Sequence, residues 1–262
     1  MSEKLSVTIV AYKDYEDIKE AVRTLEKYTS AGLVKHIYIV DNGASVSDEK
    51  AIKSFRKFVS QYADVEYCDT GQNLGFGKGH NYIISRLKSE YHAIVNPDIL
   101  FCEDAFTKIL KYMDDNLDVG MCIPNITNEE GERQLVYRKE LTIFDMFIRM
   151  FCKQLFPGRI RNHTLQNKDY TKEFPVPFGQ GSFLIIRTAL FKALNGFDDH
   201  FFMYLEDADL CKRVNQVSKL MYFPGATVIH KWKMGSHNSK KLFKYHVNSM
   251  KYYFKKWGYK IF

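Results

Sequence analysis

Over its first hundred residues the chain alternates between two hydrophobic periods, and this alternation restricts the fold more than any single motif. Residues 5–12 form an apolar, β-branched run ending in polar Lys13-Asp14, after which Ile18, Val22, Leu25 and Tyr28 recur at helical spacing. A second run at 36–40 closes on Asp41-Asn42-Gly43, a strong turn signal. Ile52, Phe55, Val59 and Tyr62 then mark a helical face, 65–68 a third strand, 79–87 another helix and 92–95 a fourth strand. Units of this length predict parallel βαβ packing. Such sheets bind ligands beyond the carboxyl ends of their strands, which here are Tyr12, Asp41, 69–73 and 96–98, all polar or turn-forming.

After Asn125 the alternation weakens. Residues 142–156 read as one aromatic helix, 159–171 as a polar, basic loop, and Pro175-Val176-Pro177 as an extended lead into Gly179-Gln180-Gly181 and a strand at 182–186. The expected fold is therefore α/β, with a Rossmann-like half over 1–100, a mixed-sheet half over 101–235 and a helical tail over 236–262. At 262 residues and 45% hydrophobic, the chain can bury a large core in one domain.

Five scattered cysteines without a CxxC pair argue against a disulfide framework or zinc ribbon and for a reducing compartment. The apolar run Leu5–Ala11 is short for a signal peptide, and no segment approaches the roughly 20 apolar residues of a spanning helix. The net charge of +7 is uneven: nine lysines and no acid lie between 231 and 262, interleaved with Phe, Tyr, Trp and Met. That pattern suits an anionic membrane surface, and equally a helix packed by its aromatic side with lysines in water. No nucleic-acid motif accompanies it, so nucleic acid is not an expected partner. The expected location is cytoplasmic, peripheral at the inner face of the cell membrane, with a second copy of the chain as a further partner.

Three motifs point to chemistry. Residues 196–210 hold five carboxylates among large aromatics, a costly arrangement unless the acids are partnered or used; an acidic helix start is the plainer reading. The glycine-dense block Asn73-Leu74-Gly75-Phe76-Gly77-Lys78-Gly79-His80-Asn81 opens a helix and reads as a phosphate-facing loop or a tight turn. Asn96-Pro97-Asp98 ends a strand, where one hard carboxylate suits Mg²⁺ or Mn²⁺. His230 matters only if the fold brings it to Asp98.

Taken in order, Val10-Ala11-Tyr12, Asp41-Asn42-Gly43, the 73–81 block, Asn96-Pro97-Asp98, Gly179-Gln180-Gly181-Ser182, Glu206-Asp207-Ala208-Asp209 and His230 resemble the family 2 inverting glycosyltransferases of GT-A fold, and among them bacterial rhamnosyltransferases of cell-surface polysaccharide assembly. The resemblance implies that Ala11, Tyr12 and Asp41 hold the base and ribose of a nucleotide. It also implies that Asn73, Gly75, Lys78 and Asn96 line the nucleotide-sugar site, that Asp98 and His230 hold Mg²⁺ or Mn²⁺, and that Asp207, beside Glu206, is the catalytic base. The first acid of the family's DxD motif is Asn96 here, which contributes no charge. By resemblance the donor is dTDP-β-L-rhamnose and the acceptor a lipid-linked glycan or polysaccharide. The alternatives are another donor such as a UDP-hexose or UDP-galactofuranose, a nucleotidyltransferase, and a non-catalytic relative.

Overall fold

The computed structural model describes residues 3–232 and 240–262. Its first half is the alternating unit that the hydrophobic periods predict: β1 (Leu5–Ala11), α1 (Tyr15–Tyr28), β2 (Lys35–Asp41), α2 (Glu49–Val59), β3 (Val65–Asp69), α3 (Phe76–Asn81) and β4 (Tyr91–Val95). Then come β5 (Ile99–Phe101), α4 (Ala105–Asp115), β6 (Val119–Thr127), β7 (Tyr137–Arg138), α5 (Ile143–Phe147), α6 (Pro157–His163), β8 (Phe174–Pro175) and β9 (Phe178–Gly179). The chain closes with β10 (Phe183–Arg187), α7 (Thr188–Ala193), α8 (Glu206–Val217), β11 (Lys219–His230) and α9 (Lys240–Trp257).

The main sheet runs β3-β2-β1-β4-β10-β6-β11-β5, with β8 also paired to β11. Strands β3, β2, β1 and β4 are mutually parallel, whereas β10 lies antiparallel between β4 and β6. Inner parallel strands are covered on both faces and read as continuous apolar runs; every residue of β4, and all of β1 but Val10, is buried. Helix α1 turns Tyr15, Ile18, Ala21, Val22 and Leu25 inward. The register aligns Ala11 with Asp41, Val95 with Phe183, and Ile99 with His230, so the strand ends singled out by sequence share one edge of the sheet.

Three stretches differ from expectation, the first being the 79–87 helix, which is α3 at Phe76–Asn81 followed by a 3₁₀ turn at Ile84–Arg86. The 142–156 helix is broken: α5 passes into a π-turn at Ile148–Cys152 and a 3₁₀ turn at Lys153–Leu155. Its wide apolar face does not all turn inward, since Phe147, Phe151 and Leu155 are exposed while Ile148 is buried. The 159–171 stretch, expected as a loop, begins inside α6, and its His163 is buried beside Asp145.

The tail lysines at 233 and the first residues of the 236–262 tail lie outside the described residues. Helix α9 packs on the body through Ser249, Tyr253 and Phe254. Beyond it, the Lys260 and Ile261 carbonyls accept from the Ile143 and Phe144 amides (2.9 and 3.1 Å). Among the described residues no helix is long and apolar enough to cross a membrane.

Candidate active site

The chain turns sharply after β4, because a residue before proline is held extended, and Asp98 leads directly into β5. Antiparallel pairing of β5 with β11 places His230 opposite Ile99, and the imidazole Nε2 lies 3.4 Å from Asp98 Oδ1. The other ring nitrogen, Nδ1, contacts Gln134 Oε1 at 2.8 Å, while Gln134 Nε2 donates to the His230 carbonyl at 2.6 Å. Gln134 thus fixes the ring and leaves Nε2 turned to the carboxylate, the arrangement in which an outer partner orients a metal-binding histidine. A carboxylate and an imidazole at this separation can sit as neighbours on one hard divalent ion. Among the described residues no group of three His, Cys, Asp or Glu could hold a metal, so further donors would come from ligand or water. Asn96 supplies no charge, but its Oδ1 is buried and unpartnered, an acceptor left open at the same corner.

The second acidic feature resolves into scaffold and site. Asp198 accepts from Lys256 (2.7 Å), Tyr252 (3.0 Å) and the His200 amide (3.0 Å). Burial alone would raise its pKa, but these partners hold it well below the usual carboxylate range. Asp209 accepts from Arg213 (2.8 Å), Lys256 (2.6 Å) and the Trp257 indole (2.9 Å). Asp199 takes the Asn81 amide at 3.0 Å. Three of the five acids therefore clamp residues 198–209 to α3, α8 and α9. The clamp supports a strained approach to α8: Tyr204 and Leu205 both have left-handed backbones, with φ of 70° and 66°, a conformation costly for bulky residues.

The remaining two are Glu206 and Asp207, at the start of α8. Asp207 Oδ2 accepts from the Gly181 amide (3.0 Å) and Oδ1 from the Ala208 amide (2.8 Å). Its pKa is nonetheless raised, because burial outweighs those two donors and nearby Arg138. Glu206 is buried with Oε2 unpartnered, and burial together with the Asp207 charge pushes its pKa well above the carboxylate range. Burial disfavours charge on both acids, and more strongly on Glu206, whose shift the Asp207 charge adds to. The two acidic regions are joined by short steps: Asp207 bonds Gly181, and the adjacent Ser182 carbonyl accepts from the Asn96 amide at 2.8 Å, two residues before Asp98.

On the βαβ side, Ala11 is buried at the end of β1 and Tyr12 is 44% exposed beside it. Asp41 is wholly buried; its Oδ2 takes both the Tyr15 and Tyr67 hydroxyls (2.8 and 2.7 Å) and its Oδ1 the Gly43 amide (2.7 Å). That carboxylate shapes the strand end from below, and a ligand would reach it only if a tyrosine moved. Asn73 is exposed and its Oδ1 caps the Gly75 amide at 2.9 Å, while Lys78 is half-buried on α3. Gly75 has φ +84°, and a Cβ there would lie 2.1 Å from the Phe202 carbonyl oxygen, which accepts from the Phe76 amide. Close packing on the 198–205 loop is thus one reason for the glycine-dense block.

Sequence reasoning missed three polar groups near these acids: Gln134, Arg138 and Arg149. Arg138 is buried on the two-residue strand β7, donates to Gln180 Oε1 (3.3 Å) and has an unpartnered Nε. A two-residue strand, a π-turn and a loop carry no hydrophobic period, so nothing in the linear sequence separates these residues from surface polar ones.

The chain is 25% identical over 216 residues to the rhamnosyltransferase WbbL of Escherichia coli (strain K12), covering 78% of each protein. It is 26% identical over 246 residues to the N-acetylglucosaminyl-diphospho-decaprenol L-rhamnosyltransferase of Mycobacterium tuberculosis (strain CDC 1551 / Oshkosh), covering 88% of this chain and 76% of the relative. The crystal structure of GalNAc-T7 with UDP, GalNAc and Mn²⁺ superposes with a TM-score of 0.67 at 14% identity, over 93% of this chain and 48% of that one, so the chain spans about half of that protein. That likeness bears on the fold, which is GT-A. The profile of Glycosyl transferase family 2 matches residues 6–194; the chain belongs to that family.

Proposed function

We propose that the protein is an inverting transferase that moves one sugar, L-rhamnose in the first instance, from a nucleoside diphosphate to a lipid-linked glycan or polysaccharide acceptor. The observation that supports this most is the short path from Asp207 through Gly181 and Ser182 to Asn96 and the Asp98–His230 pair. That path supports reading Asp207 as the base and the Asp98–His230 pair as the holder of a diphosphate-bound cation.

In this reading the acceptor hydroxyl attacks the anomeric carbon and gives its proton to the Asp207 carboxylate, general base catalysis. As the new C–O bond forms, the bond to the diphosphate breaks and its electron pair leaves with the nucleoside diphosphate. One displacement inverts the configuration. The Gly181 and Ala208 amides hold Asp207 in line. Neutral Glu206 adds no second charge beside it. Asp98 and His230 would hold Mg²⁺ or Mn²⁺, which neutralises charge building on the leaving group when bound. Tyr12 offers an exposed ring to the base, Ala11 a close backbone approach, and Asn73, Gly75, Lys78 and Asn96 the wall beside the sugar phosphates, with Asp41 supporting the strand end from beneath.

A thermal-shift panel of nucleotide sugars with Mn²⁺ tests the reading, because a ligand of the folded state raises the melting temperature. dTDP-rhamnose is expected to give the largest shift. A larger shift with a UDP-hexose would reassign the donor, and no shift with any would remove the reaction. Release of pyrophosphate in place of nucleoside diphosphate would favour nucleotidyl transfer.

Contact with an anionic membrane is part of the proposal. Lys244, Lys251 and Lys255 on α9 are exposed, and each surface lysine is worth about 1 kcal/mol near anionic lipid. Changing all three to Gln should weaken binding to phosphatidylglycerol vesicles at least tenfold; unchanged binding would refute the role. Deleting the whole tail is the poorer test, since α9 also clamps Asp198 and Asp209.

A further inference from the structure

The wall facing Asp207 carries cations that the reaction above does not use. Arg138 is 8% exposed, and its polar contacts are one 3.3 Å bond to Gln180 and the Phe178 ring, with Nε unpartnered. Arg149 lies in the π-turn Ile148–Cys152, the kind of irregularity that often marks functional sites. Among the described residues neither guanidinium forms an ion pair. The neighbouring acid Asp145 is already committed to Arg159 (2.6 Å) and Thr142 (2.6 Å). Gln180, which takes the Arg138 bond, precedes the Gly181 amide that holds Asp207, and the Lys139 amide next to Arg138 donates to the carbonyl of His163, the residue beside Asp145 one helical turn before Arg149. Burial lowers the pKa of each, Arg138 to about 9, with Arg149 adding to the effect on Arg138 and also depressing His163 and His246. A buried guanidinium without an ion pair is unfavourable unless an anion joins it, and the planar forks of arginines match phosphate oxygens.

The outer side of the same segment is apolar. Phe147, Phe151 and Leu155 are 50%, 64% and 75% exposed. Phe144 in the same helix carries the Phe262 ring at 5.3 Å, so the aromatic face continues onto the chain's last residues. A phosphate site inside a turn whose outside is aromatic fits an amphiphile with an anionic head and a hydrocarbon chain.

We propose that Arg138 and Arg149 bind the phosphate groups of the acceptor, a prenyl diphosphate-linked sugar, whose chain runs out over Phe147 and Phe151 while its sugar hydroxyl meets Asp207. This rests on the glycosyl-transfer reading and adds the acceptor's anionic group and the residues that hold it.

The test uses the full chain and farnesyl diphosphate as the probe, titrated calorimetrically with saturating dTDP and Mn²⁺ present. The expected result is saturable binding alongside the nucleotide, weakened about 10- to 100-fold in Arg149→Gln, the loss of one or two charge-assisted bonds, with the dTDP dissociation constant unchanged. Arg138→Gln should act in the same direction; because that side chain is deeply packed, its melting curve is recorded first, and Arg149→Gln decides the matter if it does not fold. Farnesol, without the phosphates, should not distinguish wild type from variant. Farnesyl diphosphate binding within twofold of wild type in folded Arg149→Gln would overturn the proposal. So would mutual exclusion of dTDP and farnesyl diphosphate with both weakened equally, which would give the arginines to the leaving group. Nucleotide-sugar hydrolysis, followed separately, reports on the reaction itself, so its absence would count against glycosyl transfer and not against the arginine site.

Discussion

Asp207→Asn removes the proposed base while keeping the side chain's shape, and the structure sets what it should do. Each carboxylate oxygen accepts one backbone amide, Gly181 at 3.0 Å and Ala208 at 2.8 Å. A carboxylate has about four lone-pair sites, so about two remain for an acceptor hydroxyl. The asparagine amide keeps one carbonyl oxygen and turns an NH₂ against the other backbone donor. That mismatch should cost about 1–3 kcal/mol of stability, the penalty for an unsatisfied buried polar group. Loss of the base should lower turnover by about 10²–10⁴-fold, or about 3–5 kcal/mol in the barrier. Coupled release of nucleoside diphosphate with donor and acceptor supplied, normalised to folded protein from the melting curve, separates the two effects. Because burial raises the Asp207 pKa, wild-type kcat/KM should climb with pH through an inflection above the ordinary aspartate value of about 3.9, and the variant should lose that limb. Turnover within tenfold of wild type in Asp207→Asn, with Glu206→Gln inactive, would refute the assignment and make Glu206 the base.

Other perturbations have definite outcomes. Glu206→Gln should keep turnover within about tenfold, because a neutral carboxyl is already the favoured form, and should raise the melting temperature at pH 8. The sign follows from its raised pKa: folding opposes ionisation, so the wild-type penalty is absent at low pH and grows as pH rises through the carboxylate range, and a variant equally or less stable at pH 8 would contradict it. Chelation by EDTA should abolish activity, Mn²⁺ should restore it, and Asp98→Ala should demand more Mn²⁺ for half-maximal rate; full activity in EDTA would remove Asp98 and His230 from the metal role. Gly75→Ala forces a Cβ to 2.1 Å from the Phe202 carbonyl oxygen at φ +84° and should cost about 2 kcal/mol or more by strain, read as a fall in melting temperature; an unchanged melting curve would show that the 198–205 loop yields freely.

Much of the parallel half was legible because inner strands are apolar throughout and amphipathic helices such as α1 keep a strict period. Polar residues ending such strands then fall on one edge by register alone, which is why Tyr12, Asp41 and Asn96 could be grouped in advance. The Asp98–His230 contact was not derivable from local pattern, since it depends on β11 pairing with β5 across more than a hundred residues; only resemblance linked them. The acid-rich 196–210 stretch was conspicuous, but which acids are scaffold could not be read from it. That Asp198 and Asp209 are satisfied by α9 follows from tertiary docking of a helix whose lysines look solvent-bound in sequence. Arg138 and Arg149 were hidden for a related reason, one on a two-residue strand and one in a π-turn, where neither period 2 nor period 3.6 applies.

The most direct test is the anomeric configuration of the product, read by NMR from the one-bond C1–H1 coupling constant while nucleoside diphosphate release is followed in the same tube. Single displacement by a hydroxyl deprotonated at Asp207 predicts a glycoside of configuration opposite to the donor's, a β-linked nucleotide sugar giving an α-linked product. A product that keeps the donor's configuration would exclude a single back-side displacement, and the role given to Asp207 would be wrong.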